Sequence, residues 1–331
     1  MRLKSIHFSN YRAFRSAVLP LEQLTVLIGA NGSGKTSALS SISTLAEIMR
    51  RNPINLWSMN SIGTKPDGNN APSLSVTWDN GGSMRAVQAL NQAAQFQFDR
   101  DPLGGEHANW IARGRVFTLD SEAIAEPVSL VSSTLELRDD GYGLPAVLTT
   151  LQDREPEQFE ELNKALKNWL PEYDRIVLDT VNSKRALQLR TATGKHRVSA
   201  SKLSDGTRLS LALLTICHLP EPPTIVGLEE PDYGLHPRLL RQLKDSLLRL
   251  TKPREFGLER EPVQVVVTTH SPYFLDLFKD ELESIVITQR QDLSSSFTRL
   301  KDLPHVDEII QGVSLGEMWY SGVLGGVPEK V

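Results

Sequence analysis

Apolar positions recur along the chain in two rhythms. Leu3-Lys4-Ser5-Ile6-His7-Phe8 alternates, which predicts a half-buried strand, and Leu24-Thr25-Val26-Leu27-Ile28 is solidly apolar, which predicts a fully buried one. Residues 3–28 thus hold two or three strands. Ser37–Met49 predicts a helix, and the Asn-, Gly-, Ser- and Pro-rich stretch 52–72 predicts a surface loop. A strand around Leu74–Trp78, a turn at Asp79-Asn80-Gly81-Gly82 and a second strand over Met84–Leu90 predict a hairpin. Residues 101–127 carry no clear pattern. Phe159, Leu162, Leu166 and Trp169 recur at helical spacing between Glu155 and Trp169, with Pro156 suited to the first turn.

The second half changes rhythm. Strands are predicted at Arg175–Leu178, Ala186–Arg190 and His196–Val198, the last two joined by a Thr193-Gly194 turn. A helix over 204–218, a buried strand over 224–229, a helix over 237–250, a buried strand over 263–269 and a short helix over 272–279 follow. Alternation of buried strands with helices predicts a largely parallel sheet covered on both faces. The expected fold is α/β, with an antiparallel β subdomain and a short helical insertion. The expected division is a split core, 1–50 and 200–290, around an inserted β/helical lobe, 51–199. The tail, 291–331, is a candidate for partner docking through Trp319 and Tyr320, with a packed tail as the equal alternative.

Bulk properties narrow the class. With 40% hydrophobic and 23% charged residues, the chain has globular composition, and no apolar run approaches the ~18–20 residues of a membrane span. The N-terminus begins as a strand and not as a signal peptide. Cys217 is the single cysteine, so no disulfide framework or cysteine metal cluster is expected, and the expected location is the cytoplasm. The net charge of −4 counts against a free-standing, strongly electrostatic DNA binder. Basic residues between Arg238 and Arg260 read first as a solvated helix face, with contact to nucleic acid or an acidic partner as the alternative.

Residues 29–36 read Gly-Ala-Asn-Gly-Ser-Gly-Lys-Thr, which fits G-x-x-x-x-G-K-[ST] without mismatch. A buried strand precedes it and a helix follows, the geometry in which backbone N–H groups and a helix N-terminus face a phosphate. Asn31, Gly32, Ser33, Gly34, Lys35 and Thr36 are therefore candidate ATP contacts. Lys35 would reach the β/γ-phosphates and Thr36 would ligate Mg²⁺. The apolar strand Val226-Gly227-Leu228 ends in Glu229-Glu230-Pro231, a Walker B arrangement. Glu229 is the candidate metal carboxylate and Glu230 the carboxylate that polarises attacking water. His270, at the end of a second buried strand, is placed to bond a γ-phosphate oxygen. Ser204 can cap the helix opening at Ser204-Asp205-Gly206 and leave N–H groups pointing outward.

These motifs together resemble the ABC-type ATPases of the RecF, SMC-head and OLD-like group. Asn10-Tyr11-Arg12-Ala13-Phe14 resembles the group's N-terminal strand motif, and Leu203–Thr207 resembles an L-S-D-G-T variant of its signature. Glu229-Glu230-Pro231-Asp232 with Leu235-His236-Pro237 resembles the OLD-type Walker B, with Asp232 in place of the usual Glu. The resemblance covers most of the chain, but 52–135 matches no motif. It implies two copies sandwiching two ATP molecules, each between one P-loop and the other's signature. Ser204, Asp205 and Gly206 would then act in trans, Glu230 as general base, His270 as switch and Arg12 as a phosphate or base contact. The group's Q-loop glutamine has no distinguished counterpart among Gln92, Gln95, Gln97 and Gln152.

Full-length OLD proteins carry a C-terminal nuclease domain, whereas about forty residues follow the expected last core strand here, fewer than a domain needs. The implied function is an ATP-hydrolysing subunit that dimerises, or forms a higher homo-oligomer, and controls a separately encoded nuclease or toxin. Anti-phage defence or DNA maintenance is the implied setting, with DNA as a further partner and no membrane. The alternative is a RecF-like repair ATPase that binds DNA directly. A transporter ATPase is opposed by the N-terminal motif and the Glu-Glu-Pro Walker B.

Overall fold

The computed structural model describes the chain except for residues 51–70, 89–94, 104, 130–135, 292–293, 305, 307–313 and 325–331. Most of the loop predicted over 52–72, and the end of the strand predicted over Met84–Leu90, lie outside the described residues. The chain divides into two compact units. The first comprises residues 1–116, 223–230 and 251–331, and the second 117–222 and 231–250.

Two sheets build the first unit. Strands β1 (Leu3–Tyr11), β2 (Phe14–Pro20), β4 (Ser73–Trp78), β5 (Ser83–Val87) and β6 (Gln95–Arg100) form an antiparallel sheet in the order β2-β1-β4-β5-β6. The hairpin predicted around Asp79–Gly82 is the β4–β5 pair. The other sheet combines β3 (Leu24–Ile28), β7 (Arg115–Phe117), β12 (Ile225–Leu228), β13 (Gln264–Thr268), β14 (Ile285–Gln291) and β15 (Ser294–Arg299). Its order is β15-β14-β3-β13-β12-β7. Here β12 runs parallel to β13, and β3 lies parallel to and between β13 and β14. That is the predicted parallel sheet, and every residue of β3, β12 and β13 is buried. Helix α1 (Lys35–Met49) places Ala38, Leu39, Ile42 and Leu45 in one core with Ile225, Val266 and Val286. At roughly 1.5–3 kcal/mol per large apolar side chain removed from water, this face fixes α1 on the sheet. Helices α2 (Glu106–Ala112), α8 (Pro272–Asp276) and α9 (Leu315–Tyr320) complete the unit.

The second unit has a small sheet of its own. Strand β10 (Lys184–Thr191) pairs antiparallel with β9 (Tyr173–Val181), β11 (Arg197–Ser199) and β8 (Val128–Ser129). Helix α5 (Pro156–Trp169) buries the predicted Phe159, Leu162, Leu166 and Trp169. Buried Asn163 donates to the Phe159 carbonyl (3.0 Å) and accepts from the Ile176 N–H (2.8 Å), tying α5 to β9. Helices α3 (Ser121–Ala125), α4 (Leu144–Arg154), α6 (Asp205–Cys217) and α7 (Leu240–Thr251) fill the unit. A short 3-10 turn, Pro237–Leu239, opens the segment predicted as one helix over 237–250. Helix α6 buries every residue from Thr207 to Cys217, so Cys217 is a core residue. Arg249 of the basic segment is paired with Glu161 at 2.7 Å. Among the described residues, no helix is long and apolar enough to cross a membrane.

Candidate functional site

The P-loop lies between β3 and α1, as its pattern requires. Gly34 occupies the N-cap of α1 in the left-handed region (φ 112°), and no side chain caps the helix. The leading N–H groups of α1 are thus left for a ligand, and only glycine takes this backbone without strain. Lys35 is 6% exposed, and its ammonium donates to the carbonyls of Gly29 (2.8 Å) and Ala30 (3.1 Å) across the loop. Burial pushes its pKa down to about 8, partly offset by the carboxylates of Glu230 and Glu229. Below that value the ammonium stays charged, the form an anionic phosphate needs.

The two acidic residues at the end of β12 have different partners. Glu229 accepts a hydrogen bond from the Thr36 hydroxyl, so the two predicted metal ligands already meet. A hydroxyl and a carboxylate are the hard oxygen donors that suit Mg²⁺, which takes few protein ligands and completes its shell from phosphates and water. No cluster of three or more acidic, His or Cys ligands exists among the described residues. Glu230 has a positive φ of 45°, a conformation that costs a non-glycine residue about 1–3 kcal/mol. Its N–H is held by the Thr268 hydroxyl at 3.0 Å, which helps maintain the kink. The kink carries the Glu230 carboxylate to 3.5 Å from His270 Nε2. Burial, and then the Lys35 cation, lower the His270 pKa against the opposing pull of Glu230. The imidazole is therefore neutral at pH 7, with one nitrogen able to donate.

Residues 87–276 match the family described as "AAA domain, putative AbiEii toxin, Type IV TA system", and residues 1–79 match "AAA ATPase domain". The first match spans more than half of the sequence. The chain belongs to the AAA ATPase family. No curated protein matches it. Among solved structures, an SMC head bound to the C-winged helix domain of ScpA is similar at a TM-score of 0.63 and 14% identity, covering 90% of this chain and 98% of that one. The SMC head domain from Thermotoga maritima gives 0.52 and 14% identity, over 90% of this chain and 99% of that one. An SMC head with a coiled coil and joint derived from Pyrococcus yayanosii gives 0.55 and 10%, over 93% and 98%. At these identities the likeness establishes the fold, that of an ABC-type P-loop head.

In this AAA ATPase the signature segment belongs to the second unit. Ser204 is the N-cap of α6, accepting from the Thr207 N–H at 3.3 Å. Asp205 accepts from the Ser121 hydroxyl at 2.8 Å. A Cβ on Gly206 would stand 2.4 Å from the Gly234 carbonyl oxygen, so glycine is required there. Ser204, Gly206 and Thr207 line a cavity of about 410 Å³ together with Gly234, His236 and Arg238. Arg12 lies in the first unit with φ 49°, its guanidinium 3.2 Å from the Ser40 hydroxyl. Ser40 in turn donates to the Thr36 carbonyl at 2.7 Å, so Arg12 is linked to the first turn of α1.

Several supporting residues escaped the sequence reading. Thr268 holds Glu230, and the Thr-Thr-His run was the available signal. Arg208 is 6% exposed and donates to the carbonyls of Ala200 and Ser201 (both 2.9 Å) and to Glu122 (2.6 Å), framing the signature from behind. Its position one residue beyond Leu203–Thr207 was the only hint. Of the glutamine candidates, Gln92 lies outside the described residues, while Gln95, Gln97 and Gln152 are all exposed and none stands out.

Proposed function

We propose that the chain hydrolyses ATP between two copies of itself, the P-loop of one facing the signature of the other, and so switches a separately encoded effector. The convergence of Lys35, Thr36, Glu229, Glu230 and His270 at one end of the parallel sheet carries the reading. Asn31, Gly32, Ser33 and Gly34 wrap the phosphates with backbone N–H groups, and Lys35 neutralises their charge. Thr36 and Glu229 hold Mg²⁺, which would supply charge stabilisation to the transferring phosphoryl group. Glu230 takes the proton of the attacking water, and neutral His270 donates to a γ-phosphate oxygen and steadies the Glu230 carboxylate. Arg12 contacts phosphate or base. Ser204, Asp205 and Gly206 meet the γ-phosphate from the second copy, so ATP joins the copies and hydrolysis releases them. A homodimer is the minimal assembly, and larger homo-oligomers are compatible with it.

Glu229-Glu230-Pro231-Asp232 and Leu235-His236-Pro237 favour an OLD-like ATPase. The family description, with its putative toxin and type IV toxin–antitoxin system, supports a toxin–antitoxin or defence setting, while a nuclease or toxin as separate effector, and phage as the target, rest on the OLD-like motifs. The single cysteine, Cys217, which leaves no disulfide framework, supports a cytoplasmic setting. DNA as a direct ligand is the second reading, carried by the RecF-like motif Asn10-Tyr11-Arg12-Ala13-Phe14.

The test is Glu230→Gln. Loss of the general base should lower turnover by about 10²–10⁴-fold and leave ATP bound. On a sizing column with ATP the variant should elute as a dimer; a monomer under saturating ATP would refute the sandwich.

A further inference from the structure

Contacts around α8 connect His270 to the C-terminal helix. His270 stands between two anchored points. Before it, the Thr269 N–H is bound to the Leu27 carbonyl at the end of β3 (3.1 Å), and the Thr269 hydroxyl accepts from the Ser271 N–H (2.9 Å). After it, Ser271 caps α8, accepting from the Phe274 N–H at 3.2 Å. Helix α8 is only five residues long, far too short to hold its place by its own hydrogen bonds. Its place is set by α9. The Gly316 N–H donates to the Asp276 carboxylate at 2.7 Å, and a Cβ on Gly316 would stand 2.4 Å from the Pro272 carbonyl oxygen. The two backbones therefore touch, two residues from His270. Leu315, Met318 and Trp319 are buried, so α9 is a packed element and Trp319 part of its packing, while Tyr320 is 83% exposed.

We infer that α9 positions the switch histidine: Asp276 and Gly316 lock α8, and α8 sets where the His270 imidazole meets Glu230. This rests on the ATPase reading above. Asp276 and Gly316 are positioning residues, since neither is placed at the nucleotide. The His270–Glu230 separation of 3.5 Å is long for a hydrogen bond, so a shift of α8 by an ångström decides whether the pair engages. The hydrogen bonds that hold Lys35 across the nucleotide-binding loop run to Gly29 and Ala30 and to no residue of α8 or α9. Loosening α9 should therefore slow the chemical step and spare ATP affinity.

The experiment measures turnover and ATP affinity of the full chain in a cycle of Asp276→Ala, His270→Ala and the double variant. Asp276→Ala should lower kcat about five- to twenty-fold with ATP affinity within twofold of wild type. Asp276→Asn should restore most of the rate, because its amide oxygen still accepts from Gly316. In the His270→Ala background, Asp276→Ala should add nothing, the signature of two residues acting through one group. An unchanged kcat in Asp276→Ala, an equal loss of ATP affinity, or an effect that multiplies with that of His270→Ala would each overturn the inference. Should Asp276→Ala fail to fold, Gly316→Ala, which pushes the helices apart without removing the carboxylate, takes its place in the cycle. If the wild-type chain itself hydrolyses no ATP, the ATPase reading falls first. If it hydrolyses ATP and only His270→Ala is slow, the ATPase reading stands and the coupling through α9 fails.

Discussion

The P-loop and the signature segment each present the N-terminus of a helix, yet they are finished in opposite ways. At the P-loop, glycine stands at the N-cap of α1, no side chain takes the leading N–H groups, and a buried cation lies across the loop. At the signature, Ser204 occupies the cap of α6 and Asp205 places a carboxylate in the first turn. One leading N–H of α6, that of Thr207, and part of its macrodipole are already used within the second unit. The first end is built to hold an anion by itself. On the proposed reading, the second adds to an anion held elsewhere. That asymmetry is what a composite site needs, because a signature that bound phosphate tightly alone would compete with its own assembly.

Removing the cation breaks the stronger end. Lys35→Ala takes away the buried ammonium that spans Gly29 and Ala30, so ATP affinity should fall by at least 10²-fold, read by titration with a fluorescent ATP analogue. Near-normal affinity in this variant would mean that the P-loop backbone suffices and that the contrast is wrong. Gly206→Ala tests the weaker end. The new methyl must displace the Gly234 carbonyl from 2.4 Å, which shifts the signature while leaving the P-loop intact. ATP should bind the monomer as before, whereas turnover should fall about 10-fold to 10²-fold. Equal losses of affinity and turnover would show that the signature is not a separate half-site.

How much of this was legible differs between the two ends. The P-loop was readable because motif, preceding apolar strand and following helix are local in sequence, and the structure places all three as expected. Helix α5 was readable for the same reason: its four apolar positions sit on one face of fourteen residues. The stretch 101–127 was not, since it folds into α2, β7 and α3, of seven, three and five residues, too short to show a period. Helix α2 buries only His107 and Ile111. The supports of the site were hidden for another reason. Thr268 meets Glu230 across 38 residues, and Arg208 meets Glu122 across 86, so no local pattern announces either. Helix α9 was read as a tail with two aromatic positions. The structure separates them, because a six-residue amphipathic helix buries Trp319 and exposes Tyr320.

Proton linkage gives a subtler probe of the same contrast. Burial holds the Lys35 pKa at about 8 in the nucleotide-free protein, and a bound triphosphate must raise it by favouring the charged form. ATP binding therefore takes up a proton once the pH exceeds about 8, and affinity falls by up to tenfold per pH unit above that point. Affinity should be nearly flat from pH 6.5 to 7.5 and roughly tenfold weaker at pH 9 than at pH 7. In Lys35→Arg, whose guanidinium does not titrate there, the decline should vanish even if the affinity itself is lower. A decline that persists in Lys35→Arg would assign the proton to another group.

The smallest effect concerns what frames the signature. Arg208 reaches both the carbonyls of Ala200 and Ser201 and the carboxylate of Glu122, and these contacts are not equal. The Glu122 side chain is 81% exposed, so its pair with Arg208 is screened by water and salt and contributes at most about 1 kcal/mol. The carbonyls are held by a guanidinium that is almost wholly buried, where an unmet acceptor costs more. Glu122→Gln should accordingly change turnover less than about twofold and leave the melting temperature nearly unmoved, with high salt removing what difference there is. Arg208→Met keeps the bulk but frees both carbonyls, and should lower turnover several-fold at any salt concentration. Were the two variants equally slow, the signature would be framed by an exposed ion pair and not by backbone contacts, and its activity would then follow ionic strength as the P-loop's buried cation does not.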